Sequence, residues 1–221
     1  MAYDFNTIAS SYDRLNHIMT AGMDRLWRRR GVRWLMRGLV NPKTLDVAAG
    51  TGDLAVEICS CGAALPVVCV DLSEKMLAVA ESKLSESGEY IVADAEHLPF
   101  QDCCFDCVAS AFGIRNFLHL DRGLSEMARV LKIDGRLLIL ELSTPDSRFV
   151  RFFYNIYAHH IIPWLGSHIA GNREAYTYLP NSIERFPKGD AMLQKLESLG
   201  LRAEQRKFFF GVCRMYICVK R

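Results

Sequence analysis

Thr44-Leu45-Asp46-Val47-Ala48-Ala49-Gly50-Thr51-Gly52-Asp53 runs a short apolar strand into a two-glycine turn and then into a helix reaching about Cys61. Gly50 and Gly52 let the backbone approach a ligand and take dihedrals closed to larger residues. Outward from this unit the same rhythm repeats. Val67–Val70 is a second strand ending at Asp71; Ser73 then caps a helix whose apolar positions are Met76, Leu77, Val79, Ala80 and Leu84. Tyr90–Ala93 is a third strand ending at Asp94, and Phe105–Phe112 a fourth, bounded by Gly113. A helix over Asp121–Lys132 leads to a fifth strand, Leu137–Leu142. The last helix, Asp190–Leu199, precedes two strands, Arg202–Phe210 and Val212–Val219, close enough to pair antiparallel. The pattern predicts an α/β fold: a doubly wound, mostly parallel seven-stranded sheet with a C-terminal antiparallel hairpin and an N-terminal helical cap. One domain is expected, made of a basic cap (1–43), a ligand-binding core (44–143), an aromatic insertion (144–188) and the terminal helix and hairpin (189–221).

Composition narrows the function. Of 221 residues, 50% are hydrophobic and 24% charged, with 27 Lys+Arg against 25 Asp+Glu, so no global field points to nucleic acid. The near-neutral total hides an asymmetry: residues 1–43 carry +5 and the remainder −3. No apolar run approaches the roughly 18 residues of a membrane span, and the opening Met-Ala-Tyr-Asp-Phe-Asn does not read as a secretory leader, so the chain is expected in the cytoplasm. Cys69, Cys107 and Cys218 sit in strand-like runs; with Cys104-x-x-Cys107 they read as reduced thiols rather than disulfides or a zinc site. His119, His159, His160 and His168 form no metal-binding spacing, and no metal is expected. Neither a Gly-x-Ser-x-Gly elbow nor a phosphate-binding Gly-Lys-Ser/Thr is present.

In an open α/β sheet, ligands bind beyond the carboxyl ends of the strands where strand order switches. Asp46 with Gly50 and Gly52, then Asp71, then Asp94 fall at that edge in order. Asp71 is placed to accept both hydroxyls of a ribose, and Asp94 to reach an adenine amine. Gly50-x-Gly52-x-x-Ala55 also fits a relaxed dinucleotide fingerprint, in which a pyrophosphate rests on the helix N-terminus. Asp53 stands at that helix start and would repel it, whereas S-adenosylmethionine carries no phosphate and presents an ammonium and a sulfonium. The terminal hairpin leans the same way, leaving an NAD-dependent oxidoreductase as the alternative.

The chain resembles the ubiquinone/menaquinone biosynthesis C-methyltransferases, a family of class I, Rossmann-like S-adenosylmethionine-dependent methyltransferases. The resemblance rests on Tyr12-Asp13-Arg14-Leu15-Asn16 with Gly22 and Trp27, on the Leu45–Asp53 loop, on Phe112-Gly113-Ile114-Arg115-Asn116, and on Arg129-Val130-Leu131-Lys132 with Leu140-Glu141-Leu142-Ser143. Tyr178-Leu179, Ser182 and Phe186-Pro187 complete it. It implies that Thr51, Asp71 and the pair Asp94-Ala95 hold S-adenosylmethionine beside Asp46, Gly50 and Gly52, and that the substrate is a prenylated quinol methylated on a ring carbon. The chain departs from the family at Thr20, Asp24, Ala49, Ala111 and Ile133-Asp134, where serine, histidine, glycine, serine and Pro-Gly are usual.

Such a reaction needs a phenolate-like oxygen and a way to handle a greasy tail. Arg115, after the fourth strand, is the expected stabiliser of the oxyanion, with a structural salt bridge as the alternative. Tyr12 and Asp13 are the candidates to orient a hydroxyl or relay its proton, and Asn16 and Asn116 to position ring oxygens. Arg25, Arg28, Arg29, Arg30, Arg33 and Arg37 interleave with Leu26, Trp27, Trp34, Leu35, Met36 and Leu39, a pattern suited either to an anionic membrane surface or to packing on the sheet. The aromatic stretch Phe149–Leu165 is expected to line a lid or tail groove. A different small-molecule methyltransferase, or a membrane-surface module without catalysis, remain alternatives.

Overall fold

The computed structural model describes residues 12–161 and 173–221. Residues 1–6 of the opening stretch, and Ile162, Trp164 and His168, lie outside them. Seven strands form one sheet in the order β3-β2-β1-β4-β5-β7-β6. They are β1 (Thr44–Val47), β2 (Val67–Asp71), β3 (Gly88–Val92), β4 (Phe105–Ala111), β5 (Leu131–Leu142), β6 (Leu201–Phe208) and β7 (Cys213–Lys220). The first five pair in parallel, and β7 inserts antiparallel between β5 and β6. The helices are α1 (Tyr12–Met19), α2 (Met23–Met36), α3 (Asp53–Ser60), α4 (Glu74–Leu84), α5 (Leu120–Val130), α6 (Arg148–Ile156), α7 (Arg173–Arg185) and α8 (Asp190–Ser198). The expected doubly wound sheet with its antiparallel hairpin is therefore present.

Side-chain alternation along the strands builds two cores. Leu45 and Val47 of β1 face a layer with Leu124 and Met127 of α5 and Met192 and Leu196 of α8. The opposite face packs against Trp27, Val32 and Leu35 of α2, Leu54 and Ile58 of α3, and Leu77 of α4. Asp46, between Leu45 and Val47, stands in register with Cys69 and Ala109, both of this second layer. Ser73 caps α4 as expected, its side chain accepting from the Met76 N–H at 3.2 Å.

Two expectations change. β5 begins at Leu131, six residues before the expected start, and pairs there with Phe105. Asp134, in place of the family glycine, takes φ 59° inside β5, between the pairings at Leu131 and Arg136 where the register shifts, a conformation aspartate adopts more readily than most residues. The second change concerns α2. Its apolar face does not look outward: Trp27, Val32, Leu35 and Met36 are all buried on the sheet. Gly31 permits the close approach, since a Cβ there would lie 2.9 Å from the Leu138 side chain. At about 1.5–3 kcal/mol per buried side chain, those four residues hold the face inward by several kcal/mol against any membrane docking through it.

Candidate active site

Chain order reverses between the neighbours β1 and β4, and a cavity of about 420 Å³ opens at their carboxyl ends. Asp46, Gly50, Thr51, Asp71, Asp94 and Ala95 line it from the strand ends; Tyr12, Asp13 and Asn16 line it from α1, and Asn116 from the turn after β4. Gly52 and Arg115 stand just outside this wall. Gly50 and Gly52 have φ of 55° and 78°, and a Cβ on Gly52 would lie 2.8 Å from the Ala80 Cβ. The second glycine thus lets α3 seat against α4. Ala49, where the family has glycine, is not in the left-handed region, so alanine fits.

The three acids differ in environment. Asp71 accepts from the Gly50 N–H and the Ser73 N–H, each at 2.8 Å, and burial nonetheless pushes its carboxyl above the ordinary range. Asp94 is open to solvent and accepts from the Glu96 N–H at 2.9 Å. Asp46 is fully buried; among the described residues neither oxygen has a partner in full hydrogen-bond geometry, the Ala55 N–H being the donor that approaches it. Burial, then the neighbouring Asp71 charge, push its pKa well up. An unpaired acid facing a cavity suits a cationic ligand group. Asp53, at the start of α3, pairs with Arg28 at 2.8 Å and Lys83 at 2.7 Å, so an acid occupies the helix start on which a pyrophosphate would rest.

The cap is latched onto this loop. Asp13 accepts from the Thr51 hydroxyl through one oxygen and pairs with Lys83 at 2.6 Å through the other. Both oxygens are engaged in holding α1, so the acid does not stand free for the proton relay expected of it. Arg28 bridges Asp24 at 2.6 Å and Asp53 at 2.8 Å, and His17 bonds Asp24 at 2.7 Å. The Thr20 hydroxyl donates to Asp24 at 2.7 Å, so the two departures from the family pattern in α1–α2 are partners of each other. His17, Asp24 and Asp53 cluster closely enough to hold an ion, but the Arg28 guanidinium already supplies the positive charge there.

Arg115 is ion-paired with Glu141 at 2.7 Å, both side chains almost fully buried, and also donates to the Phe112 carbonyl. Burial works against its charge and Glu141 more than restores it. The pair is neutral overall: it is the salt bridge that the sequence left as the alternative to oxyanion stabilisation. The Arg115 Nε is buried without a partner among the described residues, and Tyr12, Tyr178 and Tyr154 stand near the guanidinium. Tyr154, from α6, is pushed up to about 12 by burial. The Tyr178 hydroxyl meets Asn116 Oδ1 at 3.2 Å, and Tyr157 ties to the Met19 carbonyl at 2.6 Å. The rest of α6 turns outward, with Phe149 at 74%, Phe152 at 62% and Phe153 at 55% exposure.

Sequence reasoning missed Lys83, Arg28 and Glu141. Asp24 and Arg28 carry i,i+4 spacing, and a glutamate inside the apolar Leu140–Leu142 run demands a partner. Lys83 gave no signal, since its contact with Asp13 spans 70 residues. All eight cysteines are unpaired, as expected, and burial holds Cys107 and Cys218 up at about 12.

The sheet order and the cavity define a class I S-adenosylmethionine-dependent methyltransferase. A Thermotoga maritima crystal structure described as a SAM-dependent methyltransferase, possible histamine N-methyltransferase, shares the fold with a TM-score of 0.69 at 17% identity, covering 98% of each chain. The sequence model of the ubiE/COQ5 methyltransferase family matches residues 2–220, and the chain belongs to that family. It is 41% identical to a Bacteroides fragilis demethylmenaquinone methyltransferase across 98% of this chain and 90% of the relative. It is 40% identical to a Bartonella quintana ubiquinone/menaquinone biosynthesis C-methyltransferase UbiE, across 89% and 78%. The chain is an S-adenosylmethionine-dependent C-methyltransferase, which removes the dehydrogenase alternative. No described helix is long and apolar enough to cross a membrane.

Proposed function

We propose that the chain methylates a ring carbon of a prenylated quinol, converting demethylmenaquinol to menaquinol, with the ubiquinone-pathway benzoquinol as a second ring. The relatives' names support the substrate class. The structural observation that carries it is the buried Nε of Arg115, unpartnered among the described residues, beside three tyrosines and next to the cavity at the strand ends. S-adenosylmethionine supplies an electrophilic methyl group. Asp71 and Asp94-Ala95 hold its nucleoside, and Asp46 with the Gly50-Thr51-Gly52 loop its amino-acid end. Arg115 Nε–H donates to the quinol oxygen as it ionises, which moves electron density onto the attacking ring carbon. Glu141 fixes that donor. Tyr12 orients the hydroxyl, Asn16 and Asn116 position ring oxygens, and Asp13 holds the cap that excludes water. The four segments from cap to hairpin work as one domain around this site.

The chain acts in the cytoplasm, with peripheral contact to an anionic membrane surface. Because α2 packs inward, that contact passes to Phe149, Phe152 and Phe153 of α6 and to Phe209 and Phe210 between β6 and β7, all exposed. Arg148, Arg206 and Lys207 are exposed on the same segments. Purified protein given S-adenosylmethionine and reduced demethylmenaquinone in detergent should add one methyl group to the naphthoquinol, read by mass spectrometry. No transfer to either the naphthoquinol or the benzoquinol would end this reading.

A further inference from the structure

Asp46 is a buried acid lining the cavity, and among the described residues no donor meets full hydrogen-bond geometry with either oxygen, although the Ala55 N–H approaches and works against the burial. The ionisable groups facing it are Cys69 and Asp71 from β2, Asp53 and Cys59 from α3, and Arg28 from α2. Arg28, the cation of that set, already bridges Asp24 and Asp53. An ionised Asp46 would therefore face two other carboxylates in a buried setting, with the Ala55 N–H as the donor beside it.

Resting on the placement of the cofactor's amino-acid end at Asp46, we propose that Asp46 is a neutral acid in the cofactor-free protein and surrenders its proton when a ligand ammonium docks against it. The O–H bond of the carboxylic acid breaks and the proton leaves to solvent. The ammonium keeps its own three protons and donates to the new carboxylate. Cofactor binding and proton release are then one equilibrium, and burial that disfavours the free carboxylate becomes selectivity for a cationic ligand. Affinity should rise by about tenfold per pH unit while Asp46 is neutral beforehand, and level off once it is ionised.

The test is calorimetric titration of S-adenosylhomocysteine at one neutral pH in phosphate and in Tris, whose ionisation heats differ. The observed heats should differ between buffers by the equivalent of about one released proton. 5′-Methylthioadenosine, which lacks the ammonium, should give equal heats in both. Asp46→Asn should bind S-adenosylhomocysteine more weakly and release no proton. Equal heats for S-adenosylhomocysteine in the two buffers would overturn the coupling and leave the cofactor placement standing. Release that persists in Asp46→Asn, or appears with methylthioadenosine, assigns the proton elsewhere and overturns it too. Heat from neither probe overturns the placement and the coupling together. Should Asp46→Asn not fold, the two probes on the unaltered protein decide alone.

Discussion

Gly52 shows how little freedom one position can have. Its φ of 78° and the Ala80 Cβ at 2.8 Å exclude any side chain, so Gly52→Ala combines left-handed strain with an α3–α4 clash. We expect it to lose about 1–3 kcal/mol in urea unfolding and to weaken S-adenosylhomocysteine binding. Arg115 needs a subtler substitution. Arg115→Ala leaves Glu141 buried and unpaired, at a cost of about 3–5 kcal/mol, which would confuse folding with catalysis. The double variant Arg115→Met/Glu141→Gln removes both charges; it should keep near-normal cofactor affinity while kcat falls by about 10²–10³-fold. Unchanged turnover would remove Arg115 from the mechanism. The candidate residues at the cofactor edge were legible because a strand, a turn and a helix fix where their ends lie. The polar partners were less so: Glu141 could be suspected from its apolar neighbours, but Lys83 meets Asp13 only once the chain has folded.

Among elements, α1 and α2 carry the sharpest lesson. A helix with tryptophans and arginines has the same periodicity whether its apolar face meets lipid or a sheet, and only the register of Gly31 over Leu138 decides. Arg28 reads as a solvated charge in that pattern, yet it is 6% exposed and closes the junction of α1, α2 and α3. The early start of β5 was hidden likewise, because Ile133-Asp134-Gly135 reads as a break while the strand resumes beyond it. The junction has a pH signature. Burial alone would raise the Asp24 carboxyl, but the Thr20 hydroxyl, Arg28 and His17 outweigh it and hold it below the ordinary range. A depressed folded-state pKa gives stability that is complete above the ordinary carboxylate value of about 4 and is lost as pH falls through the folded value. The melting temperature of Asp24→Asn should therefore lie below that of the parent at pH 6, the gap closing as pH drops below about 4. A gap independent of pH would disprove the assignment.

At the scale of the molecule, the exposed phenylalanines among the described residues gather on two segments that follow the carboxyl ends of β5 and β6. Phe209 and Phe210 have φ of 44° and 56°, a rare conformation for two bulky neighbours, and their rings lie 5.7 Å apart. Co-sedimentation with vesicles containing phosphatidylglycerol should fall at least several-fold for Phe149→Ser/Phe152→Ser/Phe153→Ser, and for Phe209→Ser/Phe210→Ser, with turnover on a short-chain quinol preserved. Equal sedimentation of parent and variants would show that these rings do not meet lipid. The sheet order bears on how the chain is made. β7 is last in sequence yet sits inside the sheet, matched to β5 over seven residues, from Arg136↔Val219 to Leu142↔Cys213. While synthesis proceeds, the first five strands can assemble, but β5 presents an open, apolar border until the final strand emerges. A stalled or shortened chain lacking β7 would carry that border permanently and invite other chains to pair with it. Quality control should therefore recognise late truncations of this protein as aggregating species, even though every residue at the candidate active site is already present in them.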